Sequence, residues 1–381
     1  MRRINPSLYL FTLAGLTACG GGTNADVVAN YANIVDASYA DSLELAEALD
    51  GALQGLIDNP SADTLASARQ AWLDSREPYL QTEVYRFYDG PIDNADDGPE
   101  GLLNAWPLDE NYIDYTVDDA SAGIVNDTSV AIDEATLEGL NEVGGEKNIA
   151  TGYHAIEFLL WGQDLSDTGP GDRPYTDYVV GDGGTASNQD RRGEYLSVSS
   201  SLLIKHLTQV SDAWVDGADY RSSFEGDVDG SIEKILTGMI VLSGFETGGE
   251  RLQASLDSKD QEDEHSCFSD NTKRDMVQDV QGVVNVWTGS YTKLDGTVIE
   301  GAGIHDVVKG FDADLAAQLD TQIAESLSLA NALQDPYDQE IAEGNTEGNA
   351  RVEALIMSLL EQESMLEDVF VGLGLSVPVA E

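Results

Sequence analysis

The stretch "GYHAIEFLLWGQD", Gly152 to Asp164, sets an imidazole and a carboxylate three residues apart. A helix would present His154 and Glu157 on nearly the same side. Imidazole with carboxylate can ligate a transition metal, carry out proton transfer, or form a hydrogen-bonded pair. The neighbours Ala155, Ile156, Phe158, Leu159, Leu160 and Trp161 predict a helix buried on most sides. An isolated ionised carboxylate there would cost on the order of several kcal/mol unless paired, hydrogen-bonded or metal-bound. Gly152 removes a side chain two residues before His154, where another backbone or a ligand could approach closely.

A second group lies in "QEDEHSCF", Gln261 to Phe268, where Glu262 and His265 repeat the spacing in reverse order. Di-iron bundles use Glu-x-x-His to offer two ligands from one helix, together with further glutamates. Glu83 is a possible extra donor, and a charged surface turn is the alternative for this cluster. Cys267 could ligate a soft metal or be a buried thiol. The segment "SREPYLQTEVYRFYDGP" gathers Arg76, Tyr79, Glu83 and Arg86, and "GFETGGERLQ" places Glu250 and Arg251 after two glycines. Basic residues are scarce, so these arginines read as specific partners for carboxylates or for an anionic ligand. The zinc-protease patterns H-E-x-x-H and H-x-x-E-H do not occur, nor does G-x-S-x-G or a P-loop.

The elements that would position these residues read as helices. Leu45, Leu49, Leu53 and Leu56 recur at helical spacing, as do Leu196, Leu203, Leu207, Val210 and Trp214. Val308, Leu315, Leu319, Ile323 and Leu327 mark a long amphipathic helix, and Val352, Leu355, Ile356 and Leu359 another. Period-2 strands are nearly absent. The economical fold is all-α: two tandem helical bundles joined through long Gly/Asp-rich loops. One bundle spans 26–164 and carries the His-x-x-Glu pair, 165–190 is a linker, and 191–374 is the second bundle. Residues from Asp89 to about Thr128 read as a long polar loop.

Across 381 residues, 70 acidic side chains face 19 basic ones, a net charge of -51. Such a surface repels phosphate backbones and argues against a nucleic-acid partner. At the start, Arg2 and Arg3 precede a short apolar run ending in "LTAC", Leu16 to Cys19. This resembles a bacterial lipobox, which implies a signal peptide over 1–18, lipid on Cys19 and a flexible tether over 19–25. The expected location is the bacterial cell envelope, lipid-anchored to the outer membrane and facing the periplasm.

The same blocks, with "AWLDSREPYLQTEVYRFYDGPID" and "GPEGLLNAWPLDENYID", resemble the imelysin family, specifically its iron-regulated protein A branch. The first stretch is similar to that family's G-x-H-x-x-E motif. The resemblance implies two related helical-bundle domains, a polar site between them, and a link to iron uptake. On this reading His154 and Glu157 bind iron or zinc, or a metal-bound small ligand. Glu83, Glu250, Glu262 and His265 are candidates to complete the site, and Gly152, Arg76, Tyr79 and Arg251 support it. Components of iron uptake are the expected partners. A metallopeptidase using Glu157 is the enzyme alternative, and a non-catalytic surface or scaffold protein is the third reading.

Overall fold

The computed structural model describes residues 21–166 and 168–377. The signal segment and Cys19 lie outside these residues. The first long helix, α1 (Gly21–Asp58), pairs with α2 (Ala62–Leu80), whose start is fixed by a Ser61–Thr64 capping box. Helix α1 thus begins inside the stretch expected to be a tether, because adding residues to a formed helix costs little beyond nucleation. Four short helices follow: α3 (Glu100–Leu103), α4 (Glu110–Ile113), α5 (Gly123–Asn126) and α6 (Glu134–Leu140). The His-x-x-Glu helix is α7 (Gly152–Trp161), and every one of its residues is buried.

The second half opens with α8 (Gln189–Trp214), α9 (Asp219–Gly226) and α10 (Val228–Ile240). Helix α10 runs on into a π-helical segment, Val241–Gln253, and ends in α11 (Ala254–Ser258). Next come α12 (Thr272–Thr288), a hairpin of β1 (Ser290–Thr292) and β2 (Val298–Glu300), α13 (Ile304–Phe311) and α14 (Ala313–Ala332). The short α15 (Tyr337–Ile341) and long α16 (Thr346–Leu373) complete the described chain. Among the described residues the regular structure is all helical apart from the hairpin, as the periodicity predicts.

The main core does not stop at the expected linker. Val35 of α1, Trp72 of α2, Phe158 of α7, Leu203 of α8, Leu236 of α10 and Phe370 of α16 belong to one apolar cluster. A smaller cluster, including Met276, Val280, Leu333, Tyr337 and Leu355, is confined to the later helices.

Residues 165–190 are more than a spacer. Arg173 and Asp177 within them are buried, and both join an ion cluster with Asp114 and Arg192. Asp114 receives Arg173 Nη1 at 2.8 Å and Arg192 Nε at 2.6 Å. Burial would raise the Asp114 carboxyl, but the two guanidiniums reverse this and hold it below its ordinary value. The cluster ties the polar loop after α4, the 165–190 segment and α8 together. Polar composition marks a surface in sequence, yet here paired charges let it pack.

Asp114→Ala would leave two guanidiniums buried without this carboxylate. A loss of about 3–5 kcal/mol in unfolding free energy is expected. Urea denaturation measures it, and a loss below about 1 kcal/mol would show the cluster to be energetically idle.

Candidate functional site

The site is assembled where α2, α7, α12 and the loop before α12 meet. Helix α7 can enter this position because Gly152 has φ +85° and no Cβ. A Cβ there would lie 2.5 Å from the Leu103 carbonyl oxygen, so the close approach is to backbone.

His154 and Glu157 are both fully buried and touch each other: Nδ1 to Oε2 is 2.8 Å. The other Glu157 oxygen accepts from the Ser269 backbone N–H at 2.9 Å and from its hydroxyl at 2.6 Å. Both carboxylate oxygens are therefore engaged. His154 Nε2, by contrast, is buried without a hydrogen-bond partner among the described residues. Burial, then Arg76 and His265, hold the His154 pKa well below its ordinary value, so the ring is neutral. Burial pushes the Glu157 carboxyl up to about 8, against the pull of Ser269 and Arg76. Below about pH 8 the Glu157 O–H donates to Nδ1 and the ring proton sits on Nε2. Once Glu157 ionises, as metal binding at Nε2 would require, Nδ1–H donates to it and Nε2 presents a bare lone pair.

His265 meets His154 edge to face, with ring centroids 5.0 Å apart. Its Nδ1 is 2.7 Å from Asp275, so each ring is held through Nδ1 by its own carboxylate. Burial and Arg251 lower the His265 pKa to about 4, leaving this ring neutral as well. The part-exposed Trp106 packs on His154 at 4.9 Å between centroids.

Asp275 is the point where these groups join. It binds Arg76 at 3.3 Å, His265, the Ser266 hydroxyl and the Asn271 amide at 2.8 Å. Burial alone would raise its pKa, but Arg76 and the His265 hydrogen bond hold it well below the usual carboxylate range. Arg76 is itself fully buried, donates to Asn104, and lies 4.9 Å from the Tyr153 ring centroid and 5.6 Å from that of Tyr79. A desolvated guanidinium over aromatic faces gains cation–π stabilisation on the order of 2 kcal/mol.

The remaining candidates divide. Glu83 is buried but paired with Arg86 at 2.6 Å and with Arg251. Burial opposes its charge, yet the two arginines bring its pKa down to about 2. Arg251 also binds Asp279 at 2.7 Å, and Thr247 donates to the same carboxylate at 3.1 Å. The π-helical turn brings Thr247 and Arg251 onto that one group, a local geometry found often at functional sites. Glu250 is exposed, as is Glu262. Glu262 and His265 do not share a helix face: Gln261–Asp263 is one 3-10 turn, and Glu264 is extended. The di-iron spacing therefore has no helix to act on.

Asp275, Asp279, Ser269, Asn104 and Trp106 escaped the reading of the sequence. The two aspartates carried a usable signal. They stand four apart on the buried face of α12, among Met276, Val280 and Val283. Ser269 had none, because it acts through a loop contact 112 residues distant in sequence.

Near this site, burial and Glu262 push the Glu110 carboxyl up to about 7, while the Gln163 amide pulls it down. A folded pKa raised above the unfolded one contributes stability below pH about 4.5 that is lost as pH rises through about 7. Glu110→Gln should therefore match wild type near pH 4 and melt higher at pH 8. Glu110 is partly exposed, so the gain at pH 8 should be about 1 kcal/mol or less. Equal melting differences at both pH values would contradict the assignment.

Three comparisons bear on what this arrangement belongs to. The Imelysin family model matches residues 35–366. Iron-regulated protein A of Synechococcus elongatus is 24% identical over 341 residues, covering 86% of this chain and 81% of that protein. A crystal structure from Parabacteroides distasonis, described as an iron-regulated protein A precursor, superposes with a TM-score of 0.70 at 20% identity, covering 92% of this chain and 95% of that one. An imelysin-like protein from Psychrobacter arcticum gives 0.64 at 14% identity, over 94% and 98% of the respective chains. The last two establish a shared fold; the family model, spanning most of the sequence, establishes more. The chain belongs to the imelysin family.

Proposed function

We propose that this protein binds a metal ion or metal complex through the paired imidazoles His154 and His265, as part of iron acquisition at the bacterial cell envelope. The observation that carries this reading is the buried, unpartnered Nε2 of a neutral His154 whose Nδ1 is fixed by Glu157. A metal-ligating histidine commonly has its other ring nitrogen held by a carboxylate, which orients the ring and raises its basicity. His265 repeats that arrangement with Asp275. Nitrogen donors of this kind suit iron or zinc. Two imidazoles leave coordination positions for a ligand that brings its own donors, so a metal complex fits this set well.

Glu157 and Asp275 are then orienting residues, and Glu83 stays with its arginines. The bound metal would supply a Lewis-acidic centre. For the metallopeptidase reading Glu157 would have to release an oxygen from His154 or Ser269 before acting as a base, so binding is the better-supported function. The lipobox ending at Cys19 supports lipid attachment and a periplasm-facing position at the outer membrane. The iron-regulated name of the Synechococcus elongatus relative supports the link to iron, with uptake components as partners.

The test is metal affinity, for iron and zinc, of wild type against three variants whose helix content is checked by circular dichroism. His154→Ala and His265→Ala should each weaken binding at least about tenfold, and Glu157→Gln by about 10–100-fold through loss of orientation. Unchanged affinity in His154→Ala would remove the proposed ligand.

A further inference from the structure

A second polar cluster lies on the far side of the loop that carries His265. Asp164 follows α7, Glu264 and Asp270 stand in the loop before α12, and Asp338 belongs to α15. One carboxylate oxygen from each of Asp164, Asp270 and Asp338 falls within 4.8 Å of the others. Asp164 is 2% exposed and Asp338 5%.

Glu264 supplies an independent observation. Its side chain is 0% exposed, and among the described residues neither carboxylate oxygen has a hydrogen bond of good geometry, the Thr272 hydroxyl being a donor nearby. Its charged neighbours are Asp338, within hydrogen-bonding reach, and Asp270, so it is aimed into the cluster. The Asp270 Oδ1 atom is likewise buried with no donor among the described residues, and the Asp164 carboxyl lies within hydrogen-bonding reach of this side chain. Burial and Asp338 raise the Glu264 pKa well above its ordinary value, which reflects the same crowding.

The contrast with the arginine-paired clusters is informative. The buried carboxylates Glu83, Asp114, Asp275 and Asp279 each have an arginine against them. At Glu264 and Asp270 the leading charged neighbours are other carboxylates. Buried like charges persist when a cation or protons compensate them.

We infer that Asp164, Glu264, Asp270 and Asp338 form a calcium-binding site. The donors are all oxygen, which selects a hard cation over the nitrogen-preferring metals proposed for the histidine pair. Calcium accepts six to eight oxygens in irregular geometry, whereas magnesium prefers a strict octahedron and retains its waters. Asp164 also lines a surface cleft of ≈ 300 Å³ with Ser166 and Arg173, which offers a route from solvent. The same loop presents Ser266 and Ser269 to the histidine site, to Asp275 and Glu157 respectively. An ion gripping Glu264 and Asp270 would fix that loop and join α15 to the segment after α7.

The test uses the whole mature chain stripped with chelator, with calcium and magnesium titrated by calorimetry and thermal melting. Wild type should take up one calcium, in preference to magnesium, and its melting temperature should rise by several degrees. Glu264→Gln and Asp270→Asn should bind calcium at least tenfold more weakly. Without calcium they should melt no lower than stripped wild type, because a buried repulsion has been removed, and this confirms that they fold. His154→Ala should retain the calcium response, which separates this site from the histidine pair. No stoichiometric calcium uptake by stripped wild type would mean that protons hold the cluster together and would overturn the assignment. Equal or tighter binding of magnesium would overturn it too.

Discussion

The carboxylate of Asp275 is the constraint on which the centre of this molecule depends. It is fully buried and ionised, so it must be surrounded by donors, and those donors come from separate parts of the chain. Arg76 arrives from α2, while His265, Ser266 and Asn271 come from the loop before α12. Meeting the hydrogen-bond needs of one anion therefore sets the position of a helix, a loop and an imidazole together. Arg76 extends the constraint to Asn104 and the aromatic faces of Tyr79 and Tyr153. His154 inherits its surroundings from this arrangement, since His265 is the ring against which it packs.

The same logic explains how so acidic a chain uses its few cations. Seventy carboxylates and nineteen basic groups leave a surface with large negative excess, which water and salt can screen. Inside, screening is weak, and arginine does the work: Arg76, Arg173, Arg192 and Arg251 are buried against Asp275, Asp114 and Glu83 with Asp279. Arginine suits this role because its planar fork can satisfy several acceptors while remaining charged. Where no arginine faces the carboxylates, as at Glu264 and Asp270, an inorganic cation is the natural substitute.

Helices and the His154–Glu157 pair were legible in the sequence because both rest on local periodicity. The apolar spacing in α8, α14 and α16 marks their buried faces, and the need for glycine at 152 follows from its place before a buried helix. What was not legible is whatever depends on contacts distant in sequence. Glu262 and His265 looked equivalent by spacing, but a 3-10 turn sends one to solvent and the other into the core. The Gly/Asp-rich stretch at 165–190 looked like a linker, although Arg173 and Asp177 anchor it to Asp114 and Tyr115 outside the segment. Glu157 was read as a metal ligand beside His154, and the contacts of its oxygens with His154 and with Ser269 of a distant loop come from the fold.

The central claim is that His154 presents an oriented, neutral Nε2 to a metal while Glu157 holds the ring from behind. X-ray absorption spectroscopy of the iron- or zinc-loaded protein at the metal edge tests it most directly. The account predicts two imidazole nitrogens in the coordination shell, at about 2.0–2.1 Å for zinc, and the loss of one in His154→Ala. A shell made only of oxygen, or one unchanged by that substitution, would contradict it.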